Sequence, residues 1–184
     1  MTKLTNFNFV GCAINDDILL VLAPALIRIK MVHLGRNPIS SQGWEAFKNC
    51  HMDETSIGGH SAITHLSLNM LTDSGEGVRS GSSKYLHASG MEHLAYVLPH
   101  LEEVDLSGQH EVGTEGWATL AAGLRLALEK NQIIKLRALK LASCKIKEET
   151  KKMLEDTAHN CNPSLKIDFG HDETDTKRKR AICC

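Results

Sequence analysis

A spaced leucine pattern recurs along this chain and constrains its fold more than any other feature of the sequence. The pattern is L-x-x-L-x-L-x-x-N/C-x-L, in which other apolar residues replace some of the leucines. Five copies and a shortened sixth begin at Leu4, Ile29, Ile63, Leu101, Leu136 and Leu165. A unit this short cannot bury its apolar face alone, so neighbouring units have to stack and share a core.

A helical pattern follows each of the first five copies. Apolar or small residues then recur every fourth position, which places them on one face of a helix. The predicted faces are Ile18, Leu22 and Leu26; Gly43 and Phe47; Gly90, Leu94 and Leu98; Gly116, Leu120 and Leu124; Thr150 and Leu154. Residues that favour helix starts precede four of them, namely Asn15 to Asp17, Ser40 with Ser41, Ser89, and Thr114. Each unit is therefore predicted to run strand, turn, helix.

These units resemble leucine-rich repeats of the ribonuclease-inhibitor-like type, and residues 1–170 are predicted to form one such domain of about five to six units. The resemblance implies an α/β fold, a right-handed β-α superhelix or solenoid with parallel strands on the concave face and helices on the convex face. The third unit departs from the pattern, because Leu71 stands where Asn or Cys is expected. A Gly/Ser-rich insertion is predicted there, at residues 72–88.

Cys12, Asn37 and Cys144 occupy the Asn/Cys position of their units. The chain turns there from the strand towards the convex side, and a polar side chain can bond backbone groups that the turn leaves unpaired. We expect a structural role for these three residues rather than a redox or metal-binding one. All six cysteines are expected to be reduced thiols, because no secretory signal pattern is found.

Composition and motifs exclude several classes of function. A net charge of −1 argues against broad nucleic-acid binding, which needs a basic surface. Cys50, His51, His60 and His65 are the densest group of metal-ligand types, but their spacing matches no zinc signature, and we expect His51 at a helix end and His65 on the open strand face. The stretch 75–84 lacks phosphate-loop spacing. We predict a protein without catalytic residues, cofactor or metal.

The open strand face is predicted to be the working surface. Side chains between the repeated leucines alternate outward. They form one row of Asn8, His33, Ser67, Asp105, Lys140 and Asp168, and a second row of Asn6, Met31, His65, Glu103 and Ala138. An acidic patch is expected at Glu102, Glu103 and Asp105, and a basic patch at Arg137, Lys140 and Lys145.

We therefore predict a protein-protein interaction module that binds a protein partner through its concave face. The candidate partner-binding residues are Met31, His33, His65, Glu103, Asp105, Arg137 and Lys140. The alternative for this face is a solvated surface whose charges neutralise one another. A second alternative, regulation of a small GTPase, follows from the fact that Ran GTPase-activating proteins share this repeat type.

The two ends of the chain add further expectations. Nothing resembling a polar cap precedes Leu4, so Phe7 and Phe9 should be partly exposed unless a partner or further repeats cover them. Residues 171–184 are predicted to be a disordered tail with a basic run at 177–180. Its terminal Cys183 and Cys184 resemble the doubly prenylated end of Rab GTPases, which suggests a membrane-tethered regulatory adaptor. Palmitoylation is another route to such a lipid anchor. A nuclear signal and an unmodified tail are the alternatives.

Cellular location is predicted from the apolar runs. The longest, residues 18–27, is about half of the roughly 20 residues that a spanning helix needs. We predict a cytoplasmic protein, or one held at the cytoplasmic face of a membrane by its tail.

Overall fold

The computed structural model describes residues 4–56, 61–70 and 86–170, apart from the side chains of residues 54–56. Within these ranges, six parallel strands form one sheet, and their order in the sheet follows their order in the chain. The strands are β1 (Asn6–Asn8), β2 (Met31–His33), β3 (His65–Ser67), β4 (Glu103–Asp105), β5 (Ala138–Lys140) and β6 (Lys166–Asp168). The α/β class predicted from the sequence is confirmed at this level.

Five α-helices alternate with these strands in the described ranges. They are α1 (Asp16–Leu26), α2 (Ser41–Ser56), α3 (Ala88–Val97), α4 (Gly113–Glu129) and α5 (Glu148–Cys161), and a 3₁₀ turn (Leu98–His100) follows α3. Each helix packs against the next one along the chain. The helices therefore form a second layer, and none of those described is long and apolar enough to cross a membrane.

The core lies between the helix layer and one face of the sheet. The central residues of the four inner strands are fully or almost fully buried, while both neighbours in each strand are partly or fully exposed on the other face. These central residues are Val32, Leu66, Val104 and Leu139. The leucines two positions later, such as Leu34 and Leu141, are buried as well. The repeated apolar positions thus form the core that the pattern predicted.

Helix α1 begins where the sequence predicts, but it buries a different face. The Asn15 Oδ1 accepts a hydrogen bond from the Ile18 backbone N–H at 3.0 Å, which caps the helix. Leu19, Ala23 and Leu26 are buried, whereas Ile18 is 43% exposed. The predicted face through Ile18 is therefore wrong. Residues 18–22 are all apolar, so helical periodicity alone does not select the buried side.

The later helices match their predicted faces more closely. Gly90, Leu94, Gly116, Leu120 and Leu124 are buried in α3 and α4, and Thr150 and Leu154 are buried in α5. The start signals are displaced, because Ser89 and Thr114 lie within the first turns of α3 and α4. Residues 72–85 of the predicted insertion lie outside the described residues. The buried Leu86 follows them and leads into α3.

Candidate interaction face

At several of the turns, a buried side chain connects one unit to the preceding one and holds the face in place. The Asn37 Nδ2 donates to the carbonyls of Phe9 at 2.7 Å and Leu34 at 2.9 Å, and its Oδ1 accepts from the Ile14 N–H at 3.0 Å. The Cys144 Sγ donates to the Leu106 carbonyl at 3.1 Å. Burial raises the pKa of the Cys144 thiol to about 12, so the thiol stays protonated as a donor at neutral pH.

Cys12 does not share this role. It is exposed, and its Sγ contacts only the carbonyl of Val10, at 3.7 Å. The prediction of a buried structural bond at Cys12 is wrong, because β1 is the edge strand of the described sheet and no described strand lies on its outer side to supply a carbonyl.

Gln109 fills the same position in the fourth unit, and the sequence analysis missed it. It is 2% exposed, its Nε2 donates to the Leu68 carbonyl at 2.6 Å, and its Oε1 accepts from the Leu86 N–H at 2.8 Å. Gln109 follows Leu106 by three residues, as Asn37 follows Leu34. Counting from the repeated leucine would therefore have found it, although glutamine is absent from the motif.

The strand register brings the two predicted rows of side chains together. Met31 lies beside His65, and His65 beside Glu103. His33, Ser67, Asp105 and Lys140 follow one another in the adjacent row. Both rows lie on the sheet face that the described helices leave open, so each strand contributes two outward side chains to one continuous surface.

A cleft of about 610 Å³ opens on this surface. Six of the seven candidate partner-binding residues line it, namely Met31, His33, His65, Glu103, Asp105 and Lys140. Val10, Ser67 and Asn69 also line it, although the sequence analysis did not single them out for binding. The seventh candidate, Arg137, is exposed but does not line the cleft. Arg137 precedes β5 and therefore lies outside the two rows.

Glu103 is the electrostatic centre of the cleft. The Lys140 Nζ lies 2.5 Å from one of its carboxylate oxygens, and the His65 Nε2 lies 3.7 Å from the other. The hydrogen bond from Lys140 is the main reason that the pKa of Glu103 is lowered, and the same bond raises the pKa of Lys140. The predicted acidic and basic patches are therefore not separate, because an ion pair joins them across β4 and β5.

Asp105 keeps its carboxylate fixed beside this pair. Its Oδ1 accepts from the Ser107 N–H at 2.9 Å, and its Oδ2 accepts from the Asn69 Nδ2 at 3.1 Å. His65 is also held, since its Nδ1 lies 2.7 Å from the Thr64 hydroxyl oxygen. Two carboxylates thus share one lysine in the cleft lining, which leaves the cleft negative when its histidines are neutral.

His51 was expected at a helix end, but the structure places it inside a helix. It lies within α2, is 1% exposed, and neither ring nitrogen has a hydrogen-bond partner. The ring centroid of His100 lies 5.2 Å from its own. Burial, with His100 and Lys135 nearby, lowers the pKa of His51 to about 4. The described residues contain no group of three or more side chains placed to hold a metal ion, and His60 lies outside them.

The predicted tail, residues 171–184 with Cys183 and Cys184, also lies outside the described residues. Among known proteins, no family model matches the chain, and no curated protein matches it significantly.

Proposed function

We propose that this chain is a leucine-rich-repeat protein of the ribonuclease-inhibitor-like type, and that it acts as a non-catalytic protein-interaction module. The repeated motif, the strand order and the single helix layer support this assignment. A right-handed superhelix with the strand face concave is part of the proposal. Curvature of that kind produces an extended surface suited to a macromolecular partner.

The observation that carries the proposal is the cleft on the open sheet face. Its lining comes from four neighbouring strands, β2 to β5, and from adjacent positions, and hydrogen bonds hold the side chains of His65, Asn69 and Asp105 in place. Side chains that are already fixed lose little conformational freedom on binding, which favours recognition. The described core beneath the cleft is apolar and closely packed, so partner contacts are expected on the surface rather than within it.

The chemistry of the cleft favours a segment that carries a basic side chain. A lysine or arginine of the partner would meet the Asp105 carboxylate and the second oxygen of Glu103. Met31, which lies beside His65 in the row that also contains Glu103, offers an apolar contact for the stem of such a side chain. We therefore propose a protein partner that presents a positively charged segment.

A capture experiment tests this function. The full chain with both Glu103→Lys and Asp105→Lys is compared with the wild type for proteins captured from source cells, and a captured partner is then purified and titrated. We expect the affinity of the purified partner to fall at least about 30-fold, as for a central charged contact. A matched control reverses two exposed acids on the helices, Glu115→Lys and Glu155→Lys, and should bind normally.

Circular dichroism first establishes that both variants are folded. Equal loss of binding in both variants would mean that overall charge governs binding, and unchanged binding in the cleft variant would refute the cleft as the binding site. The membrane-tethered adaptor and the small-GTPase regulator stay predictions. The adaptor depends on Cys183 and Cys184, outside the described residues, and the described geometry favours neither alternative.

A further inference from the structure

Helix α1 carries a second apolar stripe that no other described part of the chain covers. Leu19, Ala23 and Leu26 are buried against the core. Ile18, Val21, Leu22 and Ala25 form another stripe at helical spacing, in which Val21 is 79% exposed and only Leu22 is partly buried. A helix that is apolar on nearly all sides is normally buried on nearly all sides.

The second stripe of α1 faces away from the neighbouring helix α2. Asp16 accepts hydrogen bonds from the Ser40 backbone N–H at 2.8 Å and from the Ser40 hydroxyl at 2.5 Å, so its side of α1 is turned towards the second unit. Asp16 is roughly 160° around the helix from Ile18. The stripe through Ile18 and Val21 is therefore turned away from α2, beyond the edge of the helix layer.

Strand β1 ends the sheet on the same side. It pairs with β2 alone among the described strands, so its outer backbone groups have no strand neighbour there. Leu4 is 63% exposed, and Phe9 and Val10 are each 39% exposed. Six of the nine exposed large apolar residues in the described ranges lie between positions 4 and 21. This concentration is larger than scattered surface apolar residues would produce.

The opposite edge of the sheet, at α5 and β6, has a different surface. This difference indicates which molecule covers the β1–α1 edge. None of the large apolar residues described after Ile133 is exposed, and the outer side of α5 is charged. A head-to-tail contact would bury those charges against the apolar edge. Two copies of the apolar edge complement each other, and a contact of one patch with itself closes around a twofold axis.

We propose that the β1–α1 edge, residues 4–26, is the interface of a symmetric dimer of this chain. In that dimer the stripe of Ile18, Val21, Leu22 and Ala25 packs against its counterpart in the second copy. Val10 belongs both to this edge and to the near end of the cleft, but the dimer leaves Glu103 and Asp105 open, because those residues belong to β4, three strands away from β1.

Sedimentation velocity of the full chain at concentrations from about 1 to about 100 µM tests the proposal. The wild type should become a dimer as concentration rises, and Val21→Asp should weaken dimerisation by at least about 30-fold. Ile133→Asp is the matched control, because Ile133 is 81% exposed and lies in the loop before β5. Leu20→Asp, on the opposite side of α1 from the stripe, should have a much smaller effect than Val21→Asp.

A monomer throughout that range overturns the proposal. So does a dimer that Val21→Asp leaves intact, or one that Ile133→Asp weakens equally. Hydrogen exchange at low and high concentration supplies a second measurement, in which protection should rise in residues 4–26 and not in residues 148–168. The three variants of this test all retain Glu103 and Asp105. A failure of the dimer proposal therefore leaves the partner-binding proposal intact.

Discussion

The two ends of the sheet expose different kinds of surface, one apolar and the other charged. At the first end, β1 and α1 leave Leu4, Phe9 and Val21 exposed. At the last end, α5 begins with Glu148 and Glu149, and the Lys151 Nζ lies 5.7 Å from the centre of the Phe169 ring. Stacked units need their terminal apolar faces covered. The last unit covers its own with charged side chains, whereas the first unit leaves an apolar surface exposed.

The bonds that attach the two ends differ as well. Asn37 connects the first end to the second unit and is buried, whereas Asn162 connects the end of α5 to the start of its own unit at Leu136 and is only partly buried. Asn162 donates to the Leu136 carbonyl at 2.8 Å and accepts from the Ser164 N–H at 3.0 Å. The first end therefore depends more on one buried amide than the last end does.

Replacing Asn37 should have the largest effect. Asn37→Ala leaves the carbonyls of Phe9 and Leu34 and the N–H of Ile14 without these bonds, and we expect a loss of about 4 kcal/mol in the free energy of unfolding. Asn162→Ala should lose only about 1 kcal/mol, because water can replace its bonds. Urea denaturation of both variants gives the comparison. Equal losses would show that the two ends are attached equally strongly.

Lowering the pH should destabilise the units between the two ends. The lowered pKa of His51 means that the folded state resists protonation of this ring more than the unfolded state does. The contribution of His51 to the free energy of unfolding is complete above its unfolded pKa of about 6.5. As the pH falls towards about 4, up to about 3 kcal/mol of it is lost. The pKa of His100 is also lowered, chiefly by burial, and adds in the same direction.

Unfolding free energies measured at several pH values test this dependence. His51→Leu should flatten the stability profile between neutral pH and pH 4, because the buried ring that resists protonation is gone. His159→Gln, at an exposed histidine of α5, should leave the profile as in the wild type. If the two variants behave alike, the acid sensitivity does not come from the buried pair.

The smallest expected effect lies at the charged end. The Lys151 Nζ also lies 2.7 Å from a Glu148 carboxylate oxygen, and Glu148 is largely exposed. Lys151→Met should cost less than about 1 kcal/mol, since exposed ion pairs and cation–π contacts are individually weak. Lys152→Met, at the exposed neighbouring position, should cost less still. Thermal unfolding of the two variants at low and high salt measures the difference between them. A large loss of stability in both variants would contradict a simple polar covering of this end.

Much of the candidate site was predictable from the sequence, because equivalent positions in repeated units occupy equivalent places in the fold. Once Val32, Leu66, Val104 and Leu139 are assigned to equivalent inward positions, the residues beside them have to form rows on the other face. Arg137 was misplaced because it lies just before that short alternating segment. Gln109 was missed because the motif was matched by residue type rather than by distance from Leu106.

The sequence by itself determined the strand positions, the shared apolar core and the two outward rows, since these follow from spacing and alternation within each unit. Tertiary structure decided which side of α1 is buried, that Lys140 bonds Glu103, and that His51 is enclosed beside His100. These outcomes depend on distances between units. They are set when helices and strands far apart in the chain pack together, and no local pattern contains them.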